Sequence, residues 1–173
     1  MDNRKIKTQL QIKESLISLL KTNRFDDITA LMIAQTAGIS RSGFYTHFKD
    51  KYEIIDKYQE SIMIKIEYIF EKYKENSEES FIEFFEFFKK EQLLALLISS
   101  NGSNTSHSYI IAKLKVLIIP RLTHLNLTPT ELEYTTVYLA HCFFGICQHW
   151  VLRQFKDSPQ ELSKIILSIL PKS

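Results

Sequence analysis

Between Ala37 and Lys51 the chain reads A-G-I-S-R-S-G-F-Y-T-H-F-K-D-K, and this run leaves few backbone paths open. Gly38 is the break, because only glycine takes the left-handed conformation there without a Cβ penalty. Ile39 is apolar and can plug the turn into a core. Ser40 is a natural N-cap, its hydroxyl satisfying a free backbone N–H of a new helix. Phe44 and Phe48 then stand four apart on one buried face. Arg41, Ser42, Gly43, Tyr45 and His47 are left near the exposed side and the N-terminal end. In a recognition helix that end enters the DNA major groove.

The preceding stretch completes the unit. Residues 23–28 (N-R-F-D-D-I) read as a turn. Thr29 can cap a helix over about 29–36 that carries Met32, Ile33 and Ala37 on one face. Upstream, a helix over about 4–22 places Ile6, Leu10, Leu16, Ile17 and Leu20 mostly on one side, with Arg4, Lys5 and Lys7 at its start. Downstream, Asp50 and Glu53 have the spacing of a cap and third residue. The expected order is long helix, turn, short helix, glycine turn, short helix.

The segment over about 6–55 resembles the DNA-binding domain of the TetR/AcrR family of transcription regulators. The matching run is I-T-A-L-M-I-A-Q-T-A-G-I-S-R-S-G-F-Y-T-H-F-K-D-K, in which the G-I-S, F-Y-T-H-F and following lysine elements fall at the family's spacing. The resemblance implies that Arg41 and Ser42 approach base edges and that Tyr45 lies across the backbone or a thymine methyl. It also implies that Thr29, His47 and Lys51 hold phosphates, with Gly43 and Thr46 completing the contact set. One position departs from the pattern: many members carry a threonine before the F-Y pair, where this chain has Gly43.

The rest of the chain reads as helix throughout. Glycine and proline number only four each in 173 residues. A fourth helix runs over about 50–74, with Ile54, Tyr58, Ile62, Ile66, Ile69, Phe70 and Tyr73 as its stripe. Phe81, Phe84, Phe85 and Phe88 give a fifth an aromatic face, and 92–99 is a sixth. Residues 101–108 (N-G-S-N-T-S-H-S) are the clearest loop. A seventh helix is expected over about 108–125, kinked at Pro120. T-P-T-E at 128–131 and S-P-Q-E at 158–161 are parallel start signatures for an eighth helix to about 154 and a ninth to about 170. The fold class expected is all-α, with a DNA-binding head at 1–52 and a regulatory and dimerisation body at 53–173.

Charge divides along the same boundary. Residues 1–52 hold nine Lys/Arg and five Asp/Glu, giving 9 − 5 = +4, and the remainder 13 − 15 = −2. A basic head on a mildly acidic body suits phosphate-directed binding. The N-terminus lacks an apolar segment of the secretory kind, so a cytoplasmic protein is expected. The charge-free stretch 134–152 is interrupted by Thr135, Thr136, His141, Gln148 and His149, which argues against a membrane span. Cys142 and Cys147 lie about 140° apart around one helix and cannot pair with each other there.

Enzymatic constellations are missing from the sequence: it has no Gly-rich phosphate loop, no G-x-S-x-G and no H-E-x-x-H. His141, His149 and Cys142 cannot converge on a metal unaided, so no metal and no cofactor are expected. The resemblance implies a ligand pocket in the body, for which Phe70, Phe84, Phe88, Tyr109 and Trp150 are candidates. Helix eight is apolar nearly all round, more than one small body requires. A homodimer through Phe144, Gly145, Leu162, Ile166 and Ile169 is therefore expected, reading palindromic double-stranded operator DNA. The expected function is a repressor released by an unidentified small molecule. The alternative is a helical adaptor, or an activator with a protein partner, whose helix-turn-helix is mainly structural. That alternative predicts no dependence of DNA affinity on Arg41 or Tyr45.

Overall fold

The computed structural model describes residues 3–170, and every α-helix or 3₁₀ segment among them follows the expected all-α order. The helices are α1 (Asn3–Leu20), α2 (Ala30–Thr36), α3 (Arg41–Tyr45), α4 (Lys51–Lys72), α5 (Ser77–Lys90), α6 (Gln92–Ile98), α7 (Asn104–Ile118), α8 (Pro129–Leu152) and α9 (Pro159–Ile169). Two 3₁₀ segments, Phe25–Asp27 and Ile119–Leu125, lie between them.

Local chemistry sets the helix starts. Side chains of Thr29, Ser40 and Asp50 accept from the N–H groups of Met32, Gly43 and Glu53. Thr128 with Glu131, and Ser158 with Glu161, form complete capping boxes behind a proline, as their spacing predicts. The bonds to their caps hold both glutamate carboxyls below the usual range. At α4 the pattern is extended. Glu53 accepts the Lys49 N–H at 2.6 Å and pairs with Lys57 at 2.7 Å, which ties the end of the α3 turn to the start of α4.

Three local expectations are corrected. The loop expected over 101–108 is shorter, because Ser103 and Ser106 form a capping box that starts α7 at Asn104. The seventh helix ends at Ile118, and Pro120 lies in the 3₁₀ segment that follows, where its missing N–H is tolerated. On α1, Leu10 points outward at 52% exposure, and Ile12 is the fully buried residue of that turn.

α1, α2 and α3 pack into a head whose centre is Leu16, Leu20, Ile33 and Phe44, all fully buried. α4 begins in this head and continues into the body, where it packs against α5 and α7. α5 is held by α9, and α7 by α8. Phe85 and Phe88 meet Trp150 at ring distances of 5.3 and 6.1 Å, and the indole N–H donates to the Asp157 carbonyl at 2.9 Å.

The corner between α6 and α7 docks on the head. The Phe25 N–H donates to the Asn101 carbonyl at 2.8 Å, and the Asn101 side-chain amide donates to the Leu20 carbonyl at 2.9 Å. Gly102 makes this corner possible: a Cβ there would fall 1.8 Å from the Leu97 carbonyl oxygen. A second junction is Tyr58 on α4. Its buried hydroxyl donates to Glu91 at 3.0 Å and accepts the Leu94 N–H at 3.1 Å, while Lys13 of α1 lies over its ring. Burial, with the Glu91 charge beside it, raises the phenol pKa.

Candidate functional site

The glycine turn and α3 have the geometry that the sequence predicts. Gly38 has φ +66°, and the Ile39 N–H donates to the Ala34 carbonyl at 3.0 Å, closing the end of α2. Phe44 and Phe48 are buried, at 0% and 5% exposure, and fix the inner face of α3. Arg41, Ser42, Tyr45 and Thr46 stand on the exposed side. The Arg41 guanidinium lies 5.8 Å from the Tyr45 ring centre, so the two long side chains support one another one turn apart.

Ser40 Oγ accepts the Gly43 N–H at 2.9 Å and shares a bond with Ser42 Oγ at 3.0 Å. A Cβ at position 43 would lie 3.1 Å from that same Ser40 oxygen. The glycine therefore goes with a tight serine cap, and its backbone is ordinary helix. Thr46 Oγ donates to the Gly43 carbonyl at 2.6 Å. Thr29 Oγ accepts the Met32 N–H at 3.2 Å, which leaves its own O–H to donate outward. His47 is half-buried, with Nδ1 enclosed and lacking a bond partner.

Lys51 is placed differently from its expected role. Its ammonium donates to the carbonyls of Phe25 at 2.7 Å, Asp26 at 2.9 Å and Ile28 at 2.7 Å. Those three bonds use all three of its donors. The ammonium also lies 4.7 Å from the centre of the Phe25 ring. Desolvation lowers its pKa, against the opposing pull of Asp26 and Asp27. In this geometry Lys51 clamps the turn between α1 and α2, and a phosphate could only be held by breaking one of those bonds.

In the body a cavity of about 30 Å³ lies between α4, α5, α6, α7 and α8. Of the expected pocket residues it brings together Phe84, Phe88 and Tyr109, with Phe143 and Phe144 beside them. Phe70 and Trp150 are not in its wall: Phe70 packs on Phe81, and Trp150 lies behind Phe88. The sequence reading missed Gln59, which lines the cavity at 3% exposure. Its signal is a polar residue on the buried stripe of α4, four after Ile55 and three before Ile62.

Comparison with known proteins decides the family. A model of the N-terminal region of bacterial regulatory proteins of the tetR family matches residues 17–58, and a model of a transcriptional regulator C-terminal region matches 75–172, more than half of the chain. The chain belongs to the TetR family of transcriptional regulators. An HTH-type transcriptional regulator of Bacillus subtilis, YxbF, is 26% identical over 94% of this chain. The chain spans 44% of the length of that curated relative. A TetR transcriptional regulator from Streptococcus agalactiae superposes with a TM-score of 0.76 at 20% identity, covering 99% of this chain and 97% of its own. NalD of Pseudomonas aeruginosa, the secondary repressor of the MexAB-OprM multidrug efflux pump, gives 0.64 at 17% identity over 96% and 94%. These two structures share the fold.

The family is one of transcriptional regulators, and α3 lies within the matched N-terminal region. Among the described residues no helix is long and apolar enough to cross a membrane. The faces of α8 and α9 correct the expected dimer set. Phe144, Leu162 and Ile166 are buried within the subunit at 8%, 6% and 2% exposure, so they have no face left for a partner. Gly145 is exposed, with open space where a Cβ would stand, and Ile169 is 37% exposed. The outward stripe of α8 runs through Tyr134, Tyr138, His141, Gly145 and Leu152, and that of α9 through Ile165 and Ile169. His141 Nδ1 is bonded to the Val137 carbonyl on its own helix at 2.8 Å.

Proposed function

We propose that this TetR-family chain represses transcription as a homodimer on a palindromic operator and is released when a small molecule enters the body. Residues 1–52 act as the reading head and 53–173 as the regulatory and dimerisation body. The observation that carries the reading is the exposed N-terminal end of α3, with Arg41, Ser42 and Tyr45 presented on a head fixed by Phe44 and Phe48. Arg41 reads guanine and Tyr45 lies along the backbone or a thymine methyl. Thr29 and His47 contact phosphates, and Arg4, Lys5 and Lys7 add to them from α1. Arg41→Ala is expected to cost about 1–3 kcal/mol of discrimination at one base pair per half-site. Binding to a sequenced pool of DNA fragments checks this, and unchanged base preference would remove Arg41 as a reader.

The release route runs through the α6–α7 corner. Leu94, Ile98 and Tyr109 line the cavity, and Asn101 between them holds the head. A ligand that widens the cavity shifts this corner, and the head follows. By linkage the operator must then order the corner in return. Hydrogen exchange at 97–103 is expected to slow when operator binds. In Asn101→Ala that response should shrink, because the bond to the Leu20 carbonyl is gone. An undiminished response would place the coupling elsewhere.

The size of the cavity favours a second reading. Pockets for drug-sized ligands occupy about 300–1,000 Å³, against about 30 Å³ here. A protein partner docking on the body could supply the signal instead, with activation rather than release as the outcome. Co-purification of a stoichiometric protein with the regulator, with no small molecule altering operator affinity, would select that reading.

A further inference from the structure

Gln59 stands on the buried face of α4, in the wall of the body cavity, at 3% exposure. Its Nε2 is enclosed and has no hydrogen-bond acceptor. Buried polar groups are almost always paired, and an unpaired amide costs stability that a similarly shaped apolar side chain would not. The surroundings supply no partner: the rest of the wall is aliphatic and aromatic apart from Tyr109 and Cys147. No Asp, Glu, Lys, Arg or His stands in it. Burial raises the Cys147 thiol pKa, so the cavity carries no charge at neutral pH.

We infer that Gln59 is the specificity-determining residue of the effector site, and that the site takes an uncharged, mainly apolar molecule bearing a hydrogen-bond acceptor such as a carbonyl oxygen. This inference rests on the small-molecule reading above. The apolar wall supplies most of the affinity by desolvation. The acceptor pairs with the Gln59 amide, and the cost of the unpaired group is recovered on binding. A carboxylate or ammonium is rejected, because nothing in the wall would compensate its desolvation. Any such ligand is larger than the cavity, so its admission must displace the wall. Met63 is the most adaptable side chain there, and α6 and α7 carry the part of the wall next to the Asn101 corner.

The test uses the full chain and three probes on one skeleton: acetophenone (neutral, with a carbonyl), ethylbenzene (neutral, without an acceptor) and benzoate (charged). Trp150, which stacks on Phe88 of the cavity wall, reports binding by its fluorescence. In the wild type, acetophenone is expected to bind about fivefold to tenfold more tightly than ethylbenzene, the value of one neutral hydrogen bond. Benzoate should not bind. In Gln59→Met, which keeps the volume, the two neutral probes should bind equally. The ligand-free variant should also melt a few degrees higher than the wild type, because the unpaired amide is gone. The inference fails if the preference survives in Gln59→Met, if benzoate competes with acetophenone, or if none of the probes binds. It also fails if the variant melts several degrees lower, since Gln59 would then be paired within the fold. If acetophenone binds with the Gln59-dependent preference but leaves operator affinity unchanged, the ligand class stands and the release reading falls.

Discussion

The double substitution Ile165→Glu, Ile169→Glu is expected to turn the regulator into a folded monomer that has lost its operator. Both side chains stand on the exposed flank of α9, at 50% and 37% exposure, while Leu162 and Ile166 beside them hold α9 to the body at 6% and 2%. The substitutions therefore leave the subunit core untouched. In the proposed dimer each would place a carboxylate in a seam, at a cost of several kcal/mol when unpaired. A single α3 reads only a few base pairs, and the affinity of a palindromic site depends on both heads being joined. Operator affinity should drop by about 10³-fold or more, toward the non-specific level. Light scattering should report a monomer whose circular dichroism is unchanged. A variant that remains dimeric would exclude the α9 face from the interface.

Removing the ammonium at position 51 is expected to damage the head rather than its DNA contacts. Lys51→Met keeps the stem and deletes three bonds to the carbonyls of Phe25, Asp26 and Ile28. Hydrogen bonds to charged groups contribute about 1.5–3 kcal/mol each, and the three are not additive. A loss of about 2–4 kcal/mol is expected, a large share of a stability typically near 5–15 kcal/mol. Urea unfolding should show it as a lower midpoint. The slope of DNA affinity against salt should stay as in the wild type. A slope smaller by about one unit with unchanged stability would instead return Lys51 to the phosphate-binding set.

Lys51 and the apolar face of α9 also mark where the sequence stops being legible. The helix-turn-helix was readable because its signals are local: Gly38, the Ser40 cap and the Phe44/Phe48 pair each act within a few residues. The T-P-T-E and S-P-Q-E starts were readable for the same reason. Lys51 was not, since its partners lie 23–26 residues away and no local pattern announces a bond across that distance. Periodicity identifies Leu162 and Ile166 as part of an apolar face without saying what covers it, and here α5 does. α8 is apolar on several sides, so Phe144 and Gly145, adjacent in sequence, could not be sorted into core and surface. Ser103 escaped notice because a polar run looks like loop until one of its serines is seen to cap. Aromatic character alone makes Phe70 and Trp150 pocket candidates, whereas lining a cavity depends on which neighbours fill the space first.

The corner at Gly102 has a consequence for how this protein can change over generations. Its backbone approaches the Leu97 carbonyl so closely that even a single methyl group would collide with it. Every one-step replacement at this codon must push apart the segment that carries Asn101 to the head. Neutral drift is therefore blocked at 102, while the exposed positions beside it, Asn104, Thr105 and Ser108, are free to diverge. Lineages of this regulator that acquire new signals should vary the cavity wall and keep this glycine, and those that lose it should be found to have rebuilt the whole α6–α7 connection.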